Sequence, residues 1–152
     1  MSSIHEYPVS VVWSGGRDGA GQVTADRSGK VNELSVPPEF GGAGAGTNPE
    51  ELLTSAIAAC YSITFGIVAG ARKIAYKSIE TKAVGMVEQP NAATFIFNKV
   101  VIKPTITLEA GADEATVKLA EEMAHKADSY CIVTNAVRGK VDIVVEPTVV
   151  VG

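Results

Sequence analysis

TNPEELLTSAIAACYSITFGIVAGA, Thr47 to Ala71, decides how this chain of 152 residues is read. Asn48 suits an N-cap, Pro49 the first helical position, and Glu51 the place from which a capping-box carboxylate reaches back. Glu50 and Glu51 in the first turn oppose the positive end of the helix dipole. After Glu51 no charged residue occurs until Arg72. The interior is apolar or small on every side, with Cys60 in its middle. A helix of that kind is the centre of a core or a membrane span. Leu52 to Ala71 is long enough to cross a bilayer. Against a span stand Thr54, Ser55, Ser62 and Thr64, many alanines, and ends without an aromatic belt. The amphipathic segments around it also need a core to cover, so a core helix is expected, with no membrane partner.

Upstream, GGAGAG (Gly41 to Gly46) reads as a flexible lead into the helix. A phosphate-binding reading fails there, because no Lys-Ser/Thr follows and GxGxxG does not fit, Pro49 standing where a glycine is required. Tyr7 to Trp13, Gln22 to Ala25 and Lys30 to Val36 read as strands. The first two are separated by SGGRDGAG (Ser14 to Gly21), a tight turn with four glycines in eight residues. Downstream, Arg72 and Lys73 close the helix. Lys77 to Glu88 and Thr94 to Leu108 form a hairpin around a turn at QPNA (Gln89 to Ala92), with Pro104 at a bend or an edge. Val117, Ala120, Ala124, Ala127 and Cys131 then recur at helical spacing. Asp128 or Ser129 is placed to cap a short helix from Tyr130 that Gly139 stops, and Val141 to Val150 is a last strand. The pattern predicts an α+β fold with an antiparallel sheet.

The length suits a single domain over residues 1–152. Apolar residues make up 46%, enough to build a core, and the formal net charge of −4 gives no reason to expect nucleic acid as a partner. MSSIHEYPVSVVW at the start lacks the basic and apolar regions of a secretory signal, so a cytoplasmic location is expected. Two cysteines far apart in sequence do not make a disulfide scaffold.

Those cysteines carry the candidate chemistry. Free cysteine is often a small buried hydrophobe. The sharper reading is a redox pair, one thiolate attacking and one thiol resolving the oxidised product. Cys60 is too deep in its helix for the dipole to activate it and needs a cation. Cys131 falls near the start of a short helix, where backbone N–H groups stabilise a thiolate. Local physics leaves open which one attacks. Arg17, in the glycine turn, is the candidate cation, against the ordinary reading of a solvated turn arginine. Glu51 is fully used as a cap, whereas Glu50 is available to hold an arginine in a bidentate pair. Glu50 and Cys60 lie ten residues apart on one helix, about 15 Å along its axis. A Glu–Arg–Cys cluster is therefore easier to assemble between two copies of the chain than within one. Ser55, Ala59, Ser62 and Gly66 form a stripe of small residues along which another element can approach. His5, His125, Cys60 and Cys131 are not at metal-ligand spacing, so no metal is expected.

GTNPEELLTSAIAAC (Gly46 to Cys60) resembles the signature helix of the OsmC/Ohr family of thiol-dependent peroxidases. GGRDG (Gly15 to Gly19) resembles the arginine turn of the organic hydroperoxide resistance branch, and CIVTNAVRGKVDI (Cys131 to Ile143) is similar to the family's second cysteine segment. The matches run in order over nearly the whole chain. The resemblance implies an OsmC-like fold in which the sheet wraps around two long helices, built as an intertwined homodimer with sites at the interface. It implies that Cys60 is the peroxidatic cysteine, Cys131 the resolving one, and Arg17 and Glu50 the arginine and glutamate of the site. It also implies a peroxiredoxin-like cycle of sulfenate and disulfide that reduces alkyl or fatty-acid hydroperoxides more than hydrogen peroxide. An external dithiol, such as a lipoyl group or a small thiol, would be the reductant, with no bound cofactor. The alternative is a non-catalytic OsmC-like protein binding an apolar ligand at the same interface. Where the family usually has Pro after its second cysteine and Ser soon after, this chain has Ile132, Val133 and Thr134. YSITFGIVAGARKI, after Cys60, is nearer to the OsmC or general OsmC-like branch, which leaves the subfamily open.

Overall fold

The computed structural model describes residues 2–152, in two compact units that meet in sequence at Leu52 and Leu53. The first unit is built on a meander of β1 (Val9–Ser14), β2 (Ala20–Ala25) and β3 (Lys30–Leu34), paired antiparallel in that order. GGAGAG is not the loose lead its composition suggests. Ser35 donates its amide to the Thr47 carbonyl and Thr47 donates to Glu33, both at 2.9 Å, which folds the loop back on β3. The Gly44 amide reaches the Val36 carbonyl at 3.1 Å. A Cβ on Gly42 would stand 2.0 Å from that same Val36 oxygen, so only glycine lets the backbone pass there.

Helix α1 (Pro49–Ala71) starts where its cap residues predict. The Glu51 amide donates to Asn48 Oδ1, and Asn48 Nδ2 donates back to Glu51 Oε1, both at 2.8 Å. Glu51 is thus held by the cap. At the other end Lys73 enters the left-handed region with φ 57°, and the amides of Lys73 and Ile74 return to Gly70 and Ala69. This is a Schellman stop, with lysine in the place usually taken by glycine.

In the second unit, β4 (Tyr76–Asn91) and β5 (Thr94–Leu108) form the expected long hairpin. Helix α2 (Glu114–Lys126) follows, then a 3-10 turn over Ala127–Tyr130, α3 (Ile132–Val137), β6 (Asp142–Val145) and β7 (Thr148–Val151). The expected all-antiparallel sheet needs a correction here, because β6 and β7 both pair parallel to β5. The helical crossover from Leu108 to Asp142 carries the chain back to the start of β5, and such a connection permits parallel pairing. The single last strand is also two strands. Val145 lies opposite Ile102 and Thr148 opposite Thr105, with the break at Pro147. Pro104 faces that break, on the central strand of the sheet and away from any edge. A residue with no N–H is tolerated where the ladder is already interrupted.

The core consists of one stripe of α1, the inner side of β5 and one face of α2. Ile57, Tyr61, Phe65 and Ala69, spaced four apart, are fully buried with Val100, Ile102, Ile106, Leu108, Ala120 and Ala124. Within the chain, therefore, α1 is not enclosed on every side. Ile63 and Ile67 are 65% and 67% exposed. The helix is long and apolar enough to cross a membrane, and 22% of its most apolar window is buried. The stripe of small residues divides between the two sides. Ser55 and Ala59 are exposed, whereas the Ser62 hydroxyl meets that of Thr81 on β4 at 2.6 Å. On the sheet side, a Cβ on Gly85 would come within 2.2 Å of the Thr54 hydroxyl, so the close approach to α1 is made by β4.

Candidate functional site

Cys60 projects from the third turn of α1, between the buried stripe and the exposed one, and is partly accessible. Its neighbour Tyr61 points inward and donates its hydroxyl to the Ala124 carbonyl of α2. Burial, with Asp128 adding to it, drives that phenol well above its ordinary titration range. Tyr61 therefore remains a neutral donor and ties α1 to α2 beside the cysteine.

Cys131 arrives from the other direction. The sequence suggests Asp128 or Ser129 as the cap of the short helix; in the structure the cap is Cys131 itself, whose sulfur accepts the Thr134 amide at 3.4 Å. Asp128 and Ser129 lie in the 3-10 turn before it. The segment is sewn shut by Arg138, which donates to the Asp128 carbonyl and carboxylate at 3.1 and 3.2 Å, and by Asn135, which donates to the Ser129 carbonyl at 3.0 Å. Cys131 is thereby held fully buried.

Cys60 and Cys131, both free thiols, lie near enough for each to move the other's proton affinity. Their proton affinities move apart. Burial alone would raise Cys60, but hydrogen bonds from the Cys131 thiol, the Val133 amide, the Thr64 hydroxyl and the Ile132 amide together outweigh it, and its pKa falls below the ordinary thiol value. The Thr64 oxygen is 4.0 Å from the sulfur, one helical turn further along α1. Cys131 moves the other way: burial raises it first and donating to Cys60 raises it further, which the hydroxyl and amide of Thr134 offset only in part. Of the amides at the start of α3, which the sequence associates with Cys131, those of Ile132 and Val133 thus serve Cys60 and that of Thr134 serves Cys131. Two thiols that share one proton in this way titrate as a pair, with the first proton lost from Cys60. Since only the thiolate is alkylated, the rate of Cys60 modification by iodoacetamide should rise with pH and level off below the ordinary thiol range. Cys131 should react only at higher pH. Following both by mass spectrometry of peptides checks this, and equal midpoints would contradict it.

The other two predicted residues belong to the first unit. Arg17 lies exposed in the turn between β1 and β2, where the Gly19 amide closes on Gly16 at 2.9 Å. Its guanidinium donates to the Phe40 carbonyl at 2.5 Å, and its stem runs along Gly41. Glu50 sits half-buried in the first turn of α1. The chain therefore brings Cys60 and Cys131 together, while Arg17 is anchored on the Pro38–Phe40 turn. Among the described residues, no three His, Cys, Asp or Glu side chains converge as a metal-ligand set. Thr64, Thr134, Asp128 and Arg138 were not among the sequence candidates for the site. The spacing of Thr64 four residues after Cys60 on a helix, and of Thr134 three after a capping Cys131, are signals that mark the first two. Nothing local links Asp128 to Arg138.

The profile of the OsmC-like protein family matches residues 41–146, which include both cysteines. The chain belongs to the OsmC/Ohr family. Among its relatives, the organic hydroperoxide resistance protein of Xanthomonas axonopodis pv. citri (strain 306) is 31% identical over 141 residues, covering 90% of this chain and 91% of that protein. The uncharacterized protein YmaD of Bacillus subtilis (strain 168) is 29% identical over 148 residues, 97% of each chain. Among solved structures, an organic hydroperoxide resistance protein of Legionella pneumophila superposes with a TM-score of 0.75 at 27% identity, covering 95% of this chain and 99% of that one. The α+β OsmC/Ohr fold expected from the resemblance is thus the fold observed. Ile132 stands where the family usually has Pro, and unlike Pro it keeps an N–H, which together with that of Val133 lowers the pKa of Cys60.

Proposed function

We propose that this OsmC/Ohr protein acts in organic hydroperoxide resistance as a thiol-dependent peroxidase. The observation that carries this reading is the nearness of Cys60 and Cys131, which moves their proton affinities apart, Cys60 down and Cys131 up. It favours Cys60 as the attacking thiolate, the order that sequence alone leaves open. Relatives named for organic hydroperoxide resistance support the same reading.

In the proposed cycle the Cys60 thiolate attacks one peroxide oxygen. A sulfur–oxygen bond forms, the O–O bond breaks, and the departing alkoxide takes a proton to leave as an alcohol. The peroxide is reduced and Cys60 becomes a sulfenic acid. Cys131, as a thiolate, then attacks that sulfur. The disulfide forms, the sulfur–oxygen bond breaks, and the hydroxide leaves as water once protonated. An external dithiol reduces the disulfide and is itself oxidised. Arg17 is proposed to orient the peroxide and to favour the Cys60 thiolate, with Glu50 holding the guanidinium by a bidentate pair. The apolar character of α1 suits an alkyl or fatty-acid hydroperoxide.

We further propose that two copies of the chain build the site together. The exposed Ala59, Ile63 and Ile67 side of α1 offers them a shared apolar seam. Turnover of cumene hydroperoxide with dithiothreitol as reductant tests the cycle. Wild type should consume peroxide continuously; an inactive wild type that still binds an apolar ligand would replace the peroxidase with a binding protein. Co-refolding an Arg17→Ala chain with a Cys60→Ser chain tests the shared site. Recovery of activity is expected, and none would assign Arg17 and Cys60 to a site within one chain.

A further inference from the structure

The Thr134 side chain is fully buried, and apart from the Cys131 sulfur beside it its hydroxyl has no group to bond to. A buried polar group left in that condition is costly and uncommon, so it calls for an explanation. The usual one, a bond from a helical threonine back to a carbonyl in the preceding turn, does not apply, because no such bond is formed. What lies beside Thr134 is the Cys131 sulfur, which already accepts the Thr134 amide at 3.4 Å. A neutral thiol engaged with Cys60 is a weak acceptor for a second donor; a thiolate is a strong one.

We infer that Thr134 is a residue of the resolving step, whose hydroxyl donates to the Cys131 sulfur once that sulfur becomes a thiolate. The inference rests on the peroxidase reading given above and deepens it. Cys131 is buried and stands above the ordinary thiol range, so the resolving thiolate forms only with help. In the resting pair its proton is shared with Cys60. When Cys60 becomes a sulfenic acid, the Cys60 thiolate that accepted that proton is gone. Cys131 must then release its proton and attack, forming the S–S bond as the S–O bond breaks and hydroxide leaves to become water. The Thr134 amide and hydroxyl supply two donors to the same sulfur during that step. The hydroxyl, which has only the Cys131 sulfur to turn to in the reduced protein, is therefore a donor held ready for a charge that exists only within the cycle.

The test is single-turnover kinetics on the full-length protein with cumene hydroperoxide in the absence of reductant. Sulfenic acid formation is trapped with dimedone and disulfide formation is followed by quenched mass analysis. Thr134→Val keeps the side-chain shape, removes the donor and leaves no orphaned hydroxyl. Its melting temperature should equal or exceed that of wild type, while disulfide formation slows by about tenfold or more, the worth of a hydrogen bond to a charged group. Sulfenic acid formation should change much less. Thr134→Ser, which restores the donor with a smaller side chain, should recover most of the resolving rate. A valine variant that resolves as fast as wild type, or a serine variant as slow as the valine one, overturns the role of the hydroxyl while leaving the peroxidase intact. A wild-type protein that forms no sulfenic acid overturns both.

Discussion

Replacing Cys60 by serine should abolish dithiol-dependent consumption of cumene hydroperoxide, to on the order of a thousandth of the wild-type rate or less, as expected when a covalent nucleophile is removed. The arrangement around Cys60 explains the size of the effect. The Cys131 thiol, two α3 amides and the Thr64 hydroxyl all favour a negative charge at that one sulfur. A serine hydroxyl in the same place stays protonated near neutral pH and has no accessible counterpart of the sulfenic acid. The substitution removes little packing, since Cys60 is partly accessible and not in the buried stripe of Ile57, Tyr61 and Phe65. An unchanged melting curve should therefore accompany the loss. Peroxide consumption measured over time decides the matter, and a variant as fast as wild type would remove Cys60 from the reaction.

Cys131→Ser should fail differently. One oxidising equivalent should be consumed and the reaction should then stop, with Cys60 held as a sulfenic acid that carries one added oxygen and reacts with dimedone. With excess peroxide the same sulfur should advance to sulfinic acid, because nothing nearby condenses with it. Structure is not expected to suffer. Cys131 caps α3 by accepting the Thr134 amide, and serine is a better N-cap than cysteine. Mass spectrometry after a single addition of peroxide distinguishes the outcomes. A disulfide-free variant that still turns over at the wild-type rate would show that external thiol resolves Cys60 directly.

The parts of this fold that local signals dictate were legible in the sequence. Asn48, Pro49 and Glu51 mark the start of α1, and the Asn48–Glu51 pair is formed as their spacing requires. The β4–β5 hairpin and the buried face of α2 follow from period and turn residues alone. What local signals could not supply was direction and depth. Parallel pairing of β6 and β7 depends on the crossover as a whole, and no residue within Asp142–Val151 encodes it. GGAGAG looks flexible in composition, but its path is fixed by carbonyls of β3 and Val36 that lie elsewhere in the chain. At the site, the two cysteines were visible as residue types. Their unequal activation was not, because it comes from a contact between segments some seventy residues apart in which the α3 amides turn toward Cys60. The Asp128–Arg138 clamp was hidden for the same reason.

A second copy seated on the uncovered side of α1 would tie the life of the folded chain to its abundance. Ile63 and Ile67 stand at 65% and 67% exposure on a helix with no charge between Glu51 and Arg72. Whatever covers that side binds the folded chain and has no comparable surface to grip on the unfolded one, so cover and fold reinforce each other by mass action. Where the cover is a second copy, each tenfold rise in protein concentration shifts the balance toward the folded pair by about 1.4 kcal/mol. Dilution would then act on this protein as a mild denaturant.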